Sequence, residues 1–214
     1  MTDARQHARQ HAHQHAQART RERRQRLAHE AARLMAEGGI RDFQMAKRKA
    51  AQRLGIFDDA SLPRNREIED ALRDYQRLFL GDRQQADLRH RREAALRALE
   101  FFSPFQPRLV GPVLDGTADA HSPVLLHLHS DDPDAVPRWL DDQGIPAQAR
   151  TRRLRLDRER ETEVPAWLFG AEGLGFEVLV LPLDGLRQAP LSAIDEKPMR
   201  RASAAQLRTL LADD

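Results

Sequence analysis

Apolar residues are spaced in two ways along this chain. From Arg21 to Phe102 they recur at helical intervals. Leu27, Ala31, Leu34 and Met35 stand at i, i+4, i+7 and i+8, and the stripe stops at Gly38-Gly39. A second stripe, Phe43, Ala46, Ala50 and Leu54, opens after Asp42, a good helix cap, and ends at Gly55. Asn65 opens a third, with Ile68, Ala71, Leu72, Tyr75, Leu78 and Phe79 inward, closed by Gly81. The fourth covers about 86–102, with Leu88, Ala95, Leu96 and Leu99 on one side and Pro104 and Pro107 beyond its end. Past residue 108 the pattern shortens. Arg108 to Leu114 reads as a short strand with a turn, and Val124 to His129 as a strand. Asp134 to Gln143 reads as a short helix closed by Gly144. Residues 150–157 alternate Arg with Leu and Thr, as an exposed or edge strand does. Phe176 to Leu181 is nearly all apolar, as a central strand is. Ala202 to Ala212 reads as a final helix.

These elements predict an α+β fold. A four-helix N-terminal module is expected over 21–104, and a small mixed sheet with flanking helices over 105–214. Residues 1–20 are rich in His, Gln and Arg and too poor in apolar side chains to offset the entropy of ordering, so a disordered tail is expected there. His7, His11 and His15 recur every four residues. They are either a metal-binding stripe on a helix or part of a frayed, solvated tail.

Composition narrows the function classes. The chain has 214 residues and no cysteine, which removes disulfides and Cys-ligated metal centres. No apolar run approaches the roughly 20 residues that span a bilayer, and the N-terminus has no apolar leader core, so a cytoplasmic protein is expected. An Arg-rich, acid-poor start also suits a mitochondrial transit peptide. Arg outnumbers Lys 32 to 3 amid abundant Ala, which points to a GC-rich, bacterial genome. Residues 1–55 hold 13 Lys or Arg against 5 Asp or Glu, so the basic front end attracts polyanions. Within it, Lys47, Arg48, Lys49 and Arg53 are nucleic-acid-binding candidates, or a solvated helix face. Few aromatics interleave with these cations, so any contact would be to the backbone rather than to bases. No glycine-rich loop ends in Gly-Lys-Ser/Thr, and a Walker-type ATP site is excluded.

Residues 109–126, LVGPVLDGTADAHSPVLL, resemble the signature of the minimal nucleotidyltransferase superfamily, the DNA polymerase β-like group. There a strand ends in Gly-Ser, a Gly-Thr-Ala turn follows, and a second strand opens with Ser-Asp-x-Asp. Gly111, Gly116-Thr117-Ala118 and Ser122 match without a gap. A third carboxylate of the family stands on a later strand, where Glu177 is the natural match. The resemblance implies a nucleotide site at Gly111, Gly116, Thr117 and Ser122. It also implies a divalent metal held by the aspartates. Here the phosphate-contacting Ser is Pro112, and the metal-binding aspartates are Pro123 and Leu125. Neither offers the oxygen donors that magnesium takes, and nucleotidyl transfer depends on that ion. Glu177 remains as a possible remnant.

His127 and His129 share the strand face of Pro123 and Leu125, with Asp131 next in phase. They are either metal-ligand candidates or half-buried polar residues at a strand end. Asp132 or Asp134 either joins an acidic metal loop or caps the following helix.

The expected function is therefore a non-catalytic nucleotidyltransferase-like protein that binds a nucleotide or a macromolecular partner. No cofactor is expected, magnesium entering only if another acidic site exists, and no membrane association is expected. One alternative is a nucleic-acid-associated protein working through the basic N-terminal helices. Another is an active nucleotidyltransferase with a rearranged metal site.

Overall fold

The computed structural model describes the backbone of residues 2–79, 81–157 and 159–213, with the side chains among these other than 2–13 and 82–84. The chain divides into two compact units, Met1–Phe79 and Leu80–Asp214.

The first unit is helical: α1 (Thr2–Gly38), α2 (Phe43–Leu54) and α3 (Asn65–Phe79). Leu27, Ala31, Ala32, Ala46, Ala50, Ile68 and Leu72 form its core. Most of these are small, so the helices approach closely. Asp42 caps α2 by accepting the Met45 amide at 2.6 Å, and Gly55 ends the helix at φ 64. The expected disorder of residues 1–20 differs from what is observed, because α1 continues back to Thr2. Ala, Gln and Arg are strong helix formers, no Gly or Pro interrupts them, and the packed stretch from Leu27 supplies the nucleus. The side chains of His7 and His11 lie outside the described residues; His15 is exposed.

The second unit begins with α4 (Gly81–Phe101), the fourth helix expected of the N-terminal module. It packs instead with the sheet: Leu99 and Phe102 share a core with Leu126, Val178 and Leu207. β1 (Arg108–Val110), α5 (Pro112–Asp115), β2 (Val124–His129) and α6 (Ala135–Asp142) follow. Next come β3 (Gln148–Arg155), β4 (Glu161–Ala171), β5 (Leu174–Leu181) and α7 (Ala204–Asp213). The strand expected over 108–114 stops at Val110, because Gly111 and Pro112 turn the chain into the short α5.

The five strands form one mixed sheet in the order β1-β2-β5-β4-β3. β2 and β5 run parallel, and the other pairs are antiparallel. Period-2 alternation gives this sheet two unlike faces. Val124, Leu126, Leu128, Phe176, Val178 and Val180 meet Leu99 of α4, Val136 and Leu140 of α6, and Leu207 of α7. The opposite face carries Leu125, Val164, Ala166 and Leu179 as a smaller apolar cluster, together with His127, His129 and Glu177. The fold is thus α+β, with a helical N-terminal region and a five-stranded mixed sheet flanked by helices.

Candidate functional site

The loop from β1 to β2 is built tightly from its own polar groups. Gly111 sits at φ 72, ψ −155, a backbone region open in practice to glycine alone. Pro112 takes the first position of α5, where a missing N–H leaves nothing unsatisfied. Gly116 closes α5 at φ 81, and the amides of Thr117 and Ala118 donate to the Pro112 carbonyl at 3.0 and 3.1 Å. The Asp119 carboxylate accepts the Ser122 hydroxyl and the His121 amide, each at 2.8 Å. The Asp119 amide in turn donates to Ser122 Oγ at 3.0 Å.

Two buried arginines of α4 hold this loop. Arg91 donates to the carbonyls of Ser122 and Ala120 at 2.6 and 2.8 Å. Arg92 donates to the Val113 carbonyl at 3.2 Å through Nε. Sequence reasoning passed over both. Their signal was available: Leu88, Arg91, Arg92, Ala95 and Leu99 fall on one helical stripe, so the two arginines stand at positions reserved for the core. A charge there needs carbonyl or carboxylate partners, which the loop supplies.

Of the nucleotide-binding candidates, Gly111, Gly116, Thr117 and Ser122 all lie on this loop. Ser122 is buried with its hydroxyl engaged by Asp119. Gly111 presses against β2: a Cβ added there would stand 3.4 Å from Leu125 Cδ2.

Pro123, Leu125 and Glu177, which the resemblance sets at the metal-site positions, come together on the sheet face away from the helices. Leu125 on β2 stands directly beside Glu177 on the parallel strand β5. Pro123 lies over Gly175, where a Cβ would be 3.8 Å from Pro123 Cβ. So one strand contributes proline and leucine, and its neighbour a glycine and one carboxylate. Glu177 is buried, and the Arg152 guanidinium from β3 reaches across β4 to donate to its carboxylate. That hydrogen bond raises the Arg152 pKa further, so the cation persists at any ordinary pH. A divalent ion would therefore meet a single carboxylate already neutralised by arginine. The donor set does not fit magnesium, whose coordination needs several free oxygens.

His127 and His129 lie farther along β2 on the same face. His127 is fully buried, and among the described residues neither ring nitrogen has a partner. Burial, reinforced by His129 and then Arg201, pushes its pKa down to about 3. His129 is lowered too, chiefly by burial; its Nδ1 lies 3.0 Å from the Gln106 carbonyl. Asp131 accepts the Leu183 amide at 2.9 Å. Among the described residues, no group of three or more His, Asp or Glu is placed to hold a metal ion. Asp132, paired with Arg138, accepts the Asp134 amide at 2.9 Å at the entry to α6.

The cations of α2 spread around the helix. Arg48 and Lys49 are exposed, Arg53 pairs with Glu30 of α1 at 3.1 Å, and Lys47 is half-buried, which lowers its pKa. A cleft of about 500 Å³ opens at the carboxyl ends of β2 and β5, lined by Ser130, Asp131, Arg160, Thr162, Glu163 and Asp184 among others. The cleft adjoins the Leu125–Glu177 face: its wall residue Val164 belongs to the apolar cluster against which Leu125 packs, and stands opposite Arg152 in the β3–β4 ladder. Among the described residues no helix is long and apolar enough to cross a membrane.

Comparison with family models, with curated proteins and with solved structures finds no match to this chain.

Proposed function

We propose that this protein is a nucleotidyltransferase-like binding protein without transferase activity, and that it acts through a macromolecular partner rather than through a nucleotide. The observation that carries the reading is the register of β2 against β5. It sets Leu125 beside Glu177, and Arg152 engages the one carboxylate. Transfer of a nucleoside monophosphate relies on metal to neutralise the triphosphate and align the attacking oxygen. A leucine, a proline and an arginine-bound glutamate supply neither effect.

A macromolecular partner is favoured over a free nucleotide by the state of the β1–β2 loop. Its serine hydroxyl and the His121 amide donate to the Asp119 carboxylate, and the Thr117 and Ala118 amides donate to the Pro112 carbonyl, so these phosphate-binding donors are already engaged. A phosphate arriving there would have to displace bonds already made. The test is incubation of the purified chain with each labelled nucleoside triphosphate, magnesium or manganese, and RNA and protein acceptors. The expected outcome is no label on any acceptor and no melting shift with nucleotide. Label transfer that disappears in Glu177→Gln would overturn the reading.

A further inference from the structure

Residues 14–26 of α1 contain no apolar side chain except Ala16 and Ala18, and the packed part of the helix begins only at Leu27. This stretch therefore has nothing with which to form a protein interface core, and no apolar face to enter a membrane surface. Its charge is one-sided, since Glu22 is the sole acid between residues 14 and 29. Arg24 is held by the Ala60 carbonyl at 2.6 Å and Arg23 reaches Asp58 at 3.4 Å. Arg19, Arg21 and Arg26 are exposed and make no ion pair among the described residues.

Helix geometry orders these cations. Arg19, Arg23 and Arg26 stand at i, i+4 and i+7, one face rising about 10 Å. Glu30 is the next position on that face, and it accepts Arg53 of α2 at 3.1 Å. The stripe thus passes onto α2, where exposed Lys49 lies one turn before Arg53. Duplex nucleic acid presents about one phosphate charge per 1.7 Å of axis, so a cation every helical turn finds a phosphate within reach. Residues 14–42 include no Phe, Tyr or Trp to interleave with these cations, and exposed Phe57, beside the Asp58 that Arg23 reaches, is a single ring rather than the series of platforms on which successive unpaired bases stack.

We infer that the stripe Arg19–Arg23–Arg26, continued by Arg53 and Lys49, binds the phosphate backbone of duplex nucleic acid without reading its sequence. The inference concerns the first unit and stands apart from the reading of the second.

The test is fluorescence anisotropy of the full chain with labelled duplex DNA of arbitrary sequence, about two helical turns long, as salt is raised fourfold. Three to five phosphate contacts give a log–log slope of about −3 to −4.5, or a loss of about 40- to 500-fold. Arg19→Gln with Arg26→Gln and Lys49→Gln, all exposed sites, should weaken binding at least tenfold and flatten the slope by about 3. Arg19→Lys with Arg26→Lys should retain binding, since a phosphate contact needs only charge. Circular dichroism verifies that each variant keeps its helices. Absence of binding at low salt, affinity unchanged in the glutamine variant, or capture by phosphatidylglycerol vesicles but not by duplex overturns the inference.

Discussion

Acid should destabilise the second unit through His127. The imidazole is fully buried, and its folded pKa is about 3 against an ordinary 6.5, a difference of about 3.5 units. The unfolded chain takes up the proton first. Above pH 6.5 both states are neutral at this residue and the folded state keeps its full advantage. As pH falls from 6.5 towards 3 that advantage is lost, at about 1.4 kcal/mol per unit. Near pH 4.5 the loss is about 2.7 kcal/mol from this one residue. Trp139 and Trp167, the two tryptophans of the chain, both lie in the second unit, so fluorescence-monitored urea unfolding reports that unit alone. His127→Leu removes the titration and two ring nitrogens that lack partners among the described residues. The variant should be about 1–2 kcal/mol more stable than wild type at pH 7, and the gap should widen by about 2–3 kcal/mol near pH 4.5. Parallel pH dependence in the two proteins would refute the reasoning.

Three further substitutions test the way the site is built. Gly111→Ala places a Cβ 3.4 Å from Leu125 Cδ2 at φ 72 and should cost about 1–3 kcal/mol in urea unfolding of the second unit. Arg92→Ala strands the Val113 carbonyl and should lower that unit's stability by about 2–3 kcal/mol, with hydrogen exchange speeding up first in residues 112–118. Asp42→Ala removes the cap of α2 and should lower helical melting stability by about 1 kcal/mol while leaving Trp fluorescence unchanged.

Much of the architecture was legible because it rests on local rules. Asp42 and Gly55 bound α2 as their capping chemistry requires, and the apolar β2 and β5 sequences became the inner parallel pair. β4 was missed altogether. Pro165 interrupts its pattern, and only the fold shows that this residue lies one position outside the stretch paired with β5, where a missing N–H breaks no ladder to that strand. α4 has the periodicity of a bundle helix, but periodicity does not say which layer a stripe will cover. At the candidate site, Pro123, Leu125 and Glu177 could be named from the resemblance to the nucleotidyltransferase signature. The Arg152 pairing could not, because it depends on a strand order in which β4 separates β3 from β5. Arg91 and Arg92 were readable in principle, as charges standing in an apolar stripe.

Manganese binding followed by electron paramagnetic resonance bears most directly on the proposal that the Leu125–Glu177 face holds no divalent metal. Wild type should leave the spectrum of free ion unchanged. Pro123→Asp with Leu125→Asp and Arg152→Ala should create a site at which Glu177 and the two new carboxylates remove that signal. Saturable binding by the wild-type chain, weakened by Glu177→Gln, would contradict the account.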